Sequence, residues 1–307
     1  KTKEDFAKKY DVTFESFGEP EGENRDDHVR QAVSMFKTVF SIMNNNIDLV
    51  KYLSDRLINL GNSVPKQIRE CTVNIEKESK YQKLFNIDHL PDDIFVSPGT
   101  KAPNRMGFSK YASYINSITE QKYGRPLILA MSADLSDSTN ISGFAKGYGG
   151  VRDRGFYEKK SNTKSPLFPQ GITEFTNAGM MAGAATVNFS AKPYESFSGF
   201  YGAVSTYGSF SYLKYGPLRL FSQLAQDSEL KVGKIIWVVG HSGPETAEDS
   251  RTHYGIFAPG VTQLFPNGLI INIHPWEHNE VAPSLTAALK IDVPIVAIHL
   301  TRPSIVI

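Results

Sequence analysis

The chain has 307 residues, of which 40% are hydrophobic and 21% are charged, so it can build one large or two smaller folded domains. Its 33 lysine and arginine residues balance 32 acidic residues, which gives no reason to expect nucleic acid or an anionic membrane as a partner. No stretch approaches the roughly 20 apolar residues that a membrane-spanning helix needs. The single cysteine excludes a disulfide framework within the chain and favours a cytoplasmic location.

Residues 1–104 are predicted to form a helical or irregular linker region that packs against something else. Apolar residues recur every three or four positions from Val29 to Met43 and again from Ile47 to Leu60, which is typical of two helices. Gly61 predicts the end of the second helix. Prolines then separate short apolar pieces up to residue 104, so we expect a meandering connector there.

Residues 105–307 alternate helical patterns with short apolar runs and are predicted to form a separate domain. Helices are expected over 106–121, after Glu174, over 213–224 and over 278–289, and strands over 126–131, 234–240, 269–273 and 293–300. Continuous apolar strands that alternate with helices predict an α/β fold, with a mostly parallel sheet and helices on both faces. Polar residues just past the strand carboxyl ends, here Asp134, His241 and His274, are candidate site residues.

One carboxylate stands at the start of a helix of small residues. Gly171-Ile172-Thr173-Glu174 is followed by a run of alanine and glycine residues between 178 and 185. We expect Glu174 to be buried among apolar and small side chains, in a position that contacts another subunit, because a slim helix lets neighbours approach closely. The alternative is an ordinary acid at a helix N-terminus, stabilised by the helix dipole.

Four motifs stand in one order along the chain. They are Ser132–Ser138, Gly171–Glu174, His241–Gly243 with Ala247–His253, and Pro275 with Asn279–Val281. Their residues and order resemble the pyrimidine-binding domain of transketolases over about residues 105–303. The resemblance implies the thiamine-diphosphate-binding fold and thiamine diphosphate as the cofactor, a group that serves as an electron sink for a carbanion.

The resemblance also implies roles for individual residues around the cofactor. Glu174 corresponds to the catalytic glutamate that hydrogen-bonds the ring nitrogen of the aminopyrimidine, which requires a carboxyl group that holds a proton; burial favours that form. Asp134 corresponds to a residue near the cofactor. Tyr207 and Phe210 fall at positions whose aromatic rings stack on the aminopyrimidine, with plain core packing as the alternative.

Substrate contacts are implied for His241, which is also a catalytic candidate, and for Asp249, Ser138 and Arg105. Arg105 resembles an arginine that binds a substrate phosphate, to which a guanidinium can donate two hydrogen bonds, and an ordinary surface arginine is the alternative. The chain departs from the family after the last strand. Leu300 stands where we align an arginine that binds the sugar phosphate, so a 2-oxo acid or another ketose stays open as substrate.

The Gly-Asp-Gly and Asn-Asn motif that holds Mg²⁺ and the diphosphate in this family is absent from the sequence. We therefore expect Mg²⁺ and the diphosphate to be held by a diphosphate-binding domain of the same or a companion chain, with no metal ligands in this one. The chain begins at Lys1 and ends within an apolar run, so we expect it to be part of a longer polypeptide. Alone it is predicted to be inactive.

The predicted assembly is a homodimer with the active site shared between subunits, acting on small sugar or sugar phosphate substrates. The predicted reaction is the transfer of a two-carbon ketol unit between a ketose and an aldose. Two alternatives remain: the decarboxylating component of a 2-oxo acid dehydrogenase, and a non-catalytic homologue that keeps the fold for dimerisation.

Overall fold

The computed structural model describes residues 2–14, 24–63, 84–149, 155–187, 199–227, 232–243, 253, 255 and 258–307. By their contacts the residues form two compact units, Lys1–Ile68 and Arg69–Ile307. Within the described ranges, no helix is both long enough and apolar enough to cross a membrane.

The first unit is helical, and the spacing of apolar residues predicted its two longer helices. It contains α1 (Thr2–Tyr10), α2 (Arg25–Asn45) and α3 (Ile47–Ser63). Asn24 caps α2 by accepting a hydrogen bond from the Asp27 N–H at 3.0 Å. The expected stop at Gly61 is wrong by two residues, because α3 continues to Ser63.

The second unit contains the sheet and the helices that cover it. Its strands are β1 (Lys101–Ala102), β2 (Ile128–Ser132), β3 (Leu167–Phe168), β4 (Tyr201–Tyr207), β5 (Ile235–Gly240), β6 (Ile270–Ile273), β7 (Ile295–His299) and β8 (Ile305–Val306). Its α-helices are α4 (Asn104–Tyr123), α5 (Glu174–Thr186), α6 (Tyr215–Asp227), α7 (Ala258–Thr262) and α8 (His278–Lys290). Short 3₁₀ segments lie at Ile87–His89, Asp92–Ile94, Ile141–Ala145 and Gly208–Lys214.

Six strands form one parallel sheet in the order β3-β2-β4-β5-β7-β6, and β1 pairs antiparallel with β8. All six residues of β5 are buried, as expected for a central strand covered on both faces. The α/β class and the mostly parallel sheet are therefore confirmed.

Two apolar layers cover the faces of the sheet. On one face α4 and α8 supply Phe108, Ile115 and Leu285 to a core that also includes the β5 residues Ile236 and Val238. On the other face α5 and α6 pack their buried residues, among them Met181 and Phe221, against Trp237 of β5. Successive residues of β5 thus point into opposite layers, which explains why its sequence is apolar throughout.

β4 is a buried central strand that its sequence does not predict. Its residues include Gly202, Ser205 and Thr206, so it lacks the continuous apolar run that identified β5. A Cβ at Gly202 would collide with the Met181 side chain of α5, so this buried side chain would have to move. A glycine within a strand often marks such a close approach.

Residues 84–104 lie in the same compact unit as the sheet, whereas the expected division fell at residue 104. Phe85 and Ile94 are buried in the core beneath α4 and α8. The Asn104 amide donates to the Pro275 carbonyl at 2.8 Å and accepts from the Thr301 N–H at 2.8 Å. The division between units at Ile68 therefore gives this segment to the sheet domain.

The chain reverses its direction across the sheet between β2 and β4. From β2 it moves outward to β3, and it then returns through α5 to β4 on the other side of β2. In parallel α/β sheets, ligands bind outside the carboxyl ends of the strands at such a reversal. The turn after β2 and the end of β4 both lie at this point.

Candidate active site at the sheet reversal

Glu174 is the first residue of α5 and is 5% exposed, as the sequence analysis expected. Its Oε1 accepts a hydrogen bond from the Thr206 hydroxyl of β4 at 3.0 Å. The free N–H groups at the start of α5 favour negative charge at this position. The structure thus holds one carboxyl oxygen in a fixed position beside the carboxyl end of β4.

The surroundings of Glu174 are more polar than the sequence analysis expected. Lys214, the last residue of the 3₁₀ segment after β4, is 0% exposed, and its ammonium donates to the Ser205 carbonyl at 2.9 Å. Burial lowers the pKa of Lys214 to about 7, and the negative charge of Glu174 opposes that decrease. The Ser205 hydroxyl also pairs with that of Thr139 at 2.8 Å. The expectation of apolar surroundings is therefore wrong.

Three of the predicted substrate residues lie together. The Arg105 guanidinium donates to the Ser138 carbonyl at 2.9 Å and lies 3.5 Å from His241 Nε2. Because arginine can only donate, Nε2 acts as the acceptor in this contact. The Ser138 hydroxyl donates to the Leu135 carbonyl at 3.2 Å, so Ser138 positions Arg105 through its backbone.

The two predicted stacking residues lie beside His253. The Tyr207 ring stacks on His241 with centroids 4.0 Å apart and meets the edge of His253 at 4.9 Å. Phe210 contacts the same His253 ring edge-on at 6.0 Å. Tyr207 at the end of β4 and Phe210 just after it therefore form an aromatic wall. The other rings of this wall are His241, directly after β5, and His253.

Glycine allows the segments of this wall to approach one another. A Cβ on Gly208 would lie 3.1 Å from the Gly255 Cα and 3.2 Å from the His241 carbonyl oxygen. The backbone of His241 itself is left-handed, with φ of 52°. That conformation is uncommon for a residue with a side chain and concentrates at functional sites.

Asp134 lies in the turn after β2 with a left-handed φ of 59°. Its carboxylate is exposed, and within the described ranges it makes no hydrogen bond to the other site residues. Thr139 in the same turn packs near Gly240 at the end of β5, which ties the turn to the site. Asp249, the remaining predicted substrate residue, lies outside the described residues.

The ends of β6 and β7 carry a second pair of histidines. His274 and His299 stack with centroids 4.2 Å apart, and the Thr262 hydroxyl lies 3.1 Å from His299 Nε2. Burial, with a smaller contribution from His274, lowers the pKa of His299 to about 3. Leu300 is buried and its carbonyl accepts from the Ser242 N–H at 3.1 Å, so its side chain is core rather than a substrate contact.

Three residues of the site were not among the predicted ones. His253 stood inside a quoted motif, so its position could have been inferred from that spacing. Thr206 directly precedes Tyr207 and gave no separate signal. The sequence gave no indication that Lys214 belongs to the site. Lysine is rarely buried, and its neighbours Tyr212 and Leu213 are exposed.

In the described ranges, no group of three histidine, cysteine, aspartate or glutamate side chains is placed to hold a metal ion. The site instead combines a buried carboxyl group, a buried amine and an aromatic wall at a sheet reversal. These features define an α/β domain with a candidate ligand site at the reversal of its sheet.

Comparison with known proteins identifies the family. The family described as "Transketolase, pyrimidine binding domain" matches residues 115–305, well over half of the chain. The chain belongs to this family, and the predicted resemblance is confirmed. Comparison with curated proteins gives no match.

Solved transketolases share the fold. One variant of the Pichia stipitis enzyme superposes with a TM-score of 0.52 at 18% identity, covering 92% of this chain and 34% of that chain. A second variant, in complex with fructose-6-phosphate, gives 0.52 at 19% identity with the same coverage of 92% and 34%. The Campylobacter jejuni transketolase gives 0.50 at 18% identity, covering 75% of this chain and 30% of that chain. The present chain thus spans about a third of the length of these enzymes.

Proposed function

We propose that this chain is the pyrimidine-binding part of a transketolase-type enzyme that transfers a two-carbon ketol unit from a ketose to an aldose with thiamine diphosphate. The observation that carries the proposal is the buried Glu174 at the reversal of the sheet, fixed by Thr206 at 3.0 Å. A carboxyl group at this position can form a hydrogen bond with a ring nitrogen of a bound heterocycle. Family membership supports the same role.

The residues at this site suit the pyrimidine half of the cofactor. Glu174 offers a carboxyl group, and Tyr207 and Phe210 offer aromatic surface at the adjacent strand ends. When bound, thiamine diphosphate supplies an electron sink for the carbanion. Glu174 then holds a proton at Oε1 or Oε2 toward the ring, and the aromatic residues orient the ring and exclude water.

Arg105 and His241 are proposed to bind the donor or acceptor sugar, with Asp249 as a further contact. Arg105 is already oriented by its hydrogen bond to the Ser138 carbonyl at 2.9 Å, and a guanidinium can donate to a polar substrate group. Its contact with His241 at 3.5 Å supports the proposal that the two side chains bind the same substrate. Asp134 is proposed to lie near the cofactor.

The diphosphate and Mg²⁺ are proposed to be held by a diphosphate-binding domain of the same or a companion chain, since this chain spans only about a third of the similar transketolases. Mg²⁺ prefers oxygen ligands from carboxylates and phosphates. The complete site is proposed to form between the subunits of a homodimer.

The surface beside the site suits such an assembly. Phe175 and Met180 on α5 and Leu220 on α6 are large apolar side chains with exposures of 64%, 48% and 68%. A Cβ on Gly179 or Gly183 of α5 would meet no neighbouring atom of the described residues. An apolar helix face of this kind is typical of a surface that another chain covers.

A second candidate is the decarboxylating component of a 2-oxo acid dehydrogenase. It is favoured by Leu300, which is buried and aligns with a phosphate-binding arginine of the family. An enzyme that acts on a 2-oxo acid needs no sugar phosphate contact there. A non-catalytic dimerising homologue is the third outcome that an experiment has to separate.

The test uses the complete protein that contains this chain, with thiamine diphosphate and Mg²⁺. Wild type and Glu174→Gln are assayed both for glycolaldehyde transfer between a ketose and an aldose and for CO₂ release from 2-oxo acids. We expect transfer, reduced by roughly 10²–10⁴ in the variant because a positioned proton donor is lost. Asp227→Asn, at the exposed end of α6, is the control and should match wild type.

Each result has a distinct meaning. CO₂ release without transfer would replace the first candidate by the second. Binding of the cofactor without either reaction would indicate a non-catalytic homologue. Equal turnover in wild type and Glu174→Gln would contradict the role given to Glu174.

A further inference from the structure

A buried amine is hydrogen-bonded to the residue that precedes the hydrogen-bond partner of Glu174. Lys214 donates to the Ser205 carbonyl at 2.9 Å, and the next residue, Thr206, donates its hydroxyl to Glu174 at 3.0 Å. Lys214 is 0% exposed and Glu174 is 5% exposed. Lys214 and Glu174 are thus both buried and hydrogen-bonded to neighbouring residues of β4, and the charge of Glu174 acts on Lys214.

Few other titratable groups lie on the elements around Lys214. Its 3₁₀ segment packs against β4, β5, α5, α6 and α7. Among the residues of these elements, β5 and α7 carry no titratable side chain, and α5 carries Glu174 alone. The others are Tyr201 and Tyr207 on β4 and Tyr215, Arg219 and Asp227 on α6, and His241 follows β5. Glu174 is the residue whose charge acts on Lys214.

A buried charge is costly unless it is compensated. A Glu174 carboxylate is compensated by the Lys214 ammonium, and the pair is then neutral overall. If Glu174 takes up a proton while Lys214 stays charged, the enclosed pair carries an uncompensated positive charge. The pair stays neutral only if Lys214 loses a proton at the same time.

We propose that Lys214 is a charge-compensating positioning residue for Glu174, protonated while Glu174 is a carboxylate and neutral once Glu174 holds a proton toward a bound ring nitrogen. This inference rests on the function proposed above. The net step breaks one N–H bond at Lys214 and forms one O–H bond at Glu174, with no change in the charge of the pair. Because burial lowers the pKa of Lys214 to about 7, giving up its proton costs little near neutral pH.

Lys234 provides a matched comparison in the same chain. It is also buried, and its ammonium donates to the carbonyls of Ile291 and Val293 at 2.5 and 2.9 Å. Burial lowers the pKa of Lys234 to about 8, and Asp292 rather than Glu174 opposes the decrease. Its removal perturbs a buried lysine without affecting the charge near Glu174.

The first experiment needs no cofactor. A double-mutant cycle combines Lys214→Met with Glu174→Gln in the complete protein, and thermal unfolding is followed at pH 6 and pH 9.5. We expect coupling between the two positions of about tenfold in the unfolding equilibrium at pH 6, where Lys214 is charged, and little coupling at pH 9.5. The cycle of Lys234→Met with Glu174→Gln should show none at either pH. Absence of coupling at pH 6, or equal coupling at both values, would refute the charge interaction.

The second experiment counts protons during cofactor binding. Calorimetric titration of the complete protein with thiamine diphosphate and Mg²⁺ at pH 6.5, in buffers of different ionisation enthalpy, gives the net proton uptake. In wild type the proton released by Lys214 offsets the one taken up by Glu174. Lys214→Met and Lys214→Gln should each take up more protons than wild type by about half a proton or more.

The variants separate a charge effect from a structural one. Gln can still donate to the Ser205 carbonyl, so a purely structural role of Lys214 predicts that Lys214→Gln behaves like wild type. Lys234→Met should have the wild-type proton count. If all variants give the wild-type count, Lys214 does not compensate Glu174. If wild type itself does not bind thiamine diphosphate, the proposed function fails, whatever the outcome of the cofactor-free cycle.

Discussion

Replacing Lys214 by methionine should change how the stability of the protein depends on pH. Lys214 has a pKa of about 7 when folded, below the ordinary value of 10.5, because burial disfavours the ammonium. Between these two values the unfolded chain binds a proton that the folded chain does not. The stability of the wild type therefore rises with pH through this window. The free-energy cost of burying the Lys214 ammonium is present in full below pH 7.

The size of the effect follows from the displacement of the pKa. The change from 10.5 to about 7 spans about 3.5 pKa units, and each unit corresponds to about 1.4 kcal/mol. Raising the pH from 7 to 10 removes most of this penalty, about 3–4 kcal/mol, from the wild type only. Loss of the hydrogen bond to the Ser205 carbonyl also destabilises Lys214→Met, but equally at both pH values. Relative to wild type, the free energy of unfolding of Lys214→Met should therefore fall by about 3–4 kcal/mol between pH 7 and pH 10.

The measurement is urea unfolding of the complete wild-type and variant proteins at pH 7 and pH 10, followed by circular dichroism. Lys234→Met serves as a graded control, because the pKa of Lys234 is lowered only to about 8. The difference in the free energy of unfolding between Lys234→Met and wild type should change by about 2 kcal/mol between pH 7 and pH 10. If the difference between Lys214→Met and wild type is the same at both pH values, Lys214 is not a buried amine with a lowered pKa.

Three further predictions concern packing, acid stability and assembly. Gly202→Ala should destabilise the sheet by roughly 1–3 kcal/mol in urea unfolding, because the added Cβ collides with Met181. The folded protein resists protonation of His299, whose pKa is lowered to about 3 by burial and by His274, so stability should fall as the pH drops below 6.5. Between pH 6.5 and pH 4.5, the free energy of unfolding of His299→Gln should fall by about 2 kcal/mol less than that of wild type. Phe175→Asp should weaken self-association at least about thirtyfold in sedimentation equilibrium, since Phe175 is 64% exposed on the proposed subunit face.

Matched variants show what would contradict these expectations. Gly171→Ala adds a Cβ where no atom lies within 4 Å, so it should leave stability unchanged, and an equal loss in both glycine variants would exclude the collision. Ile291→Asp changes an exposed apolar residue after α8, on the other face of the sheet, and should leave self-association intact. Equal acid sensitivity of wild type and His299→Gln would show that His299 is not the group that resists protonation.

The longer helices and four strands of the six-stranded sheet could be predicted because their patterns are local. The apolar run of β5 and the three- to four-residue spacing in α2 each fit one kind of element. β4 escaped prediction because Gly202, Ser205 and Thr206 are determined by what they meet across the sheet: the Met181 side chain, the Thr139 hydroxyl and the Glu174 carboxyl. A central strand of this composition cannot be recognised from its own residues.

Sequence by itself determined the α/β class, the family and the burial of Glu174, since each depends on residue type, order and spacing along the chain. Only the tertiary structure decided what surrounds that acid. The positions of Thr206 and Lys214 follow from strand pairing and helix packing over more than thirty residues of separation, and the charge state of a buried amine depends on that enclosure. Such an environment is a property of the assembled core, and a linear pattern does not contain it.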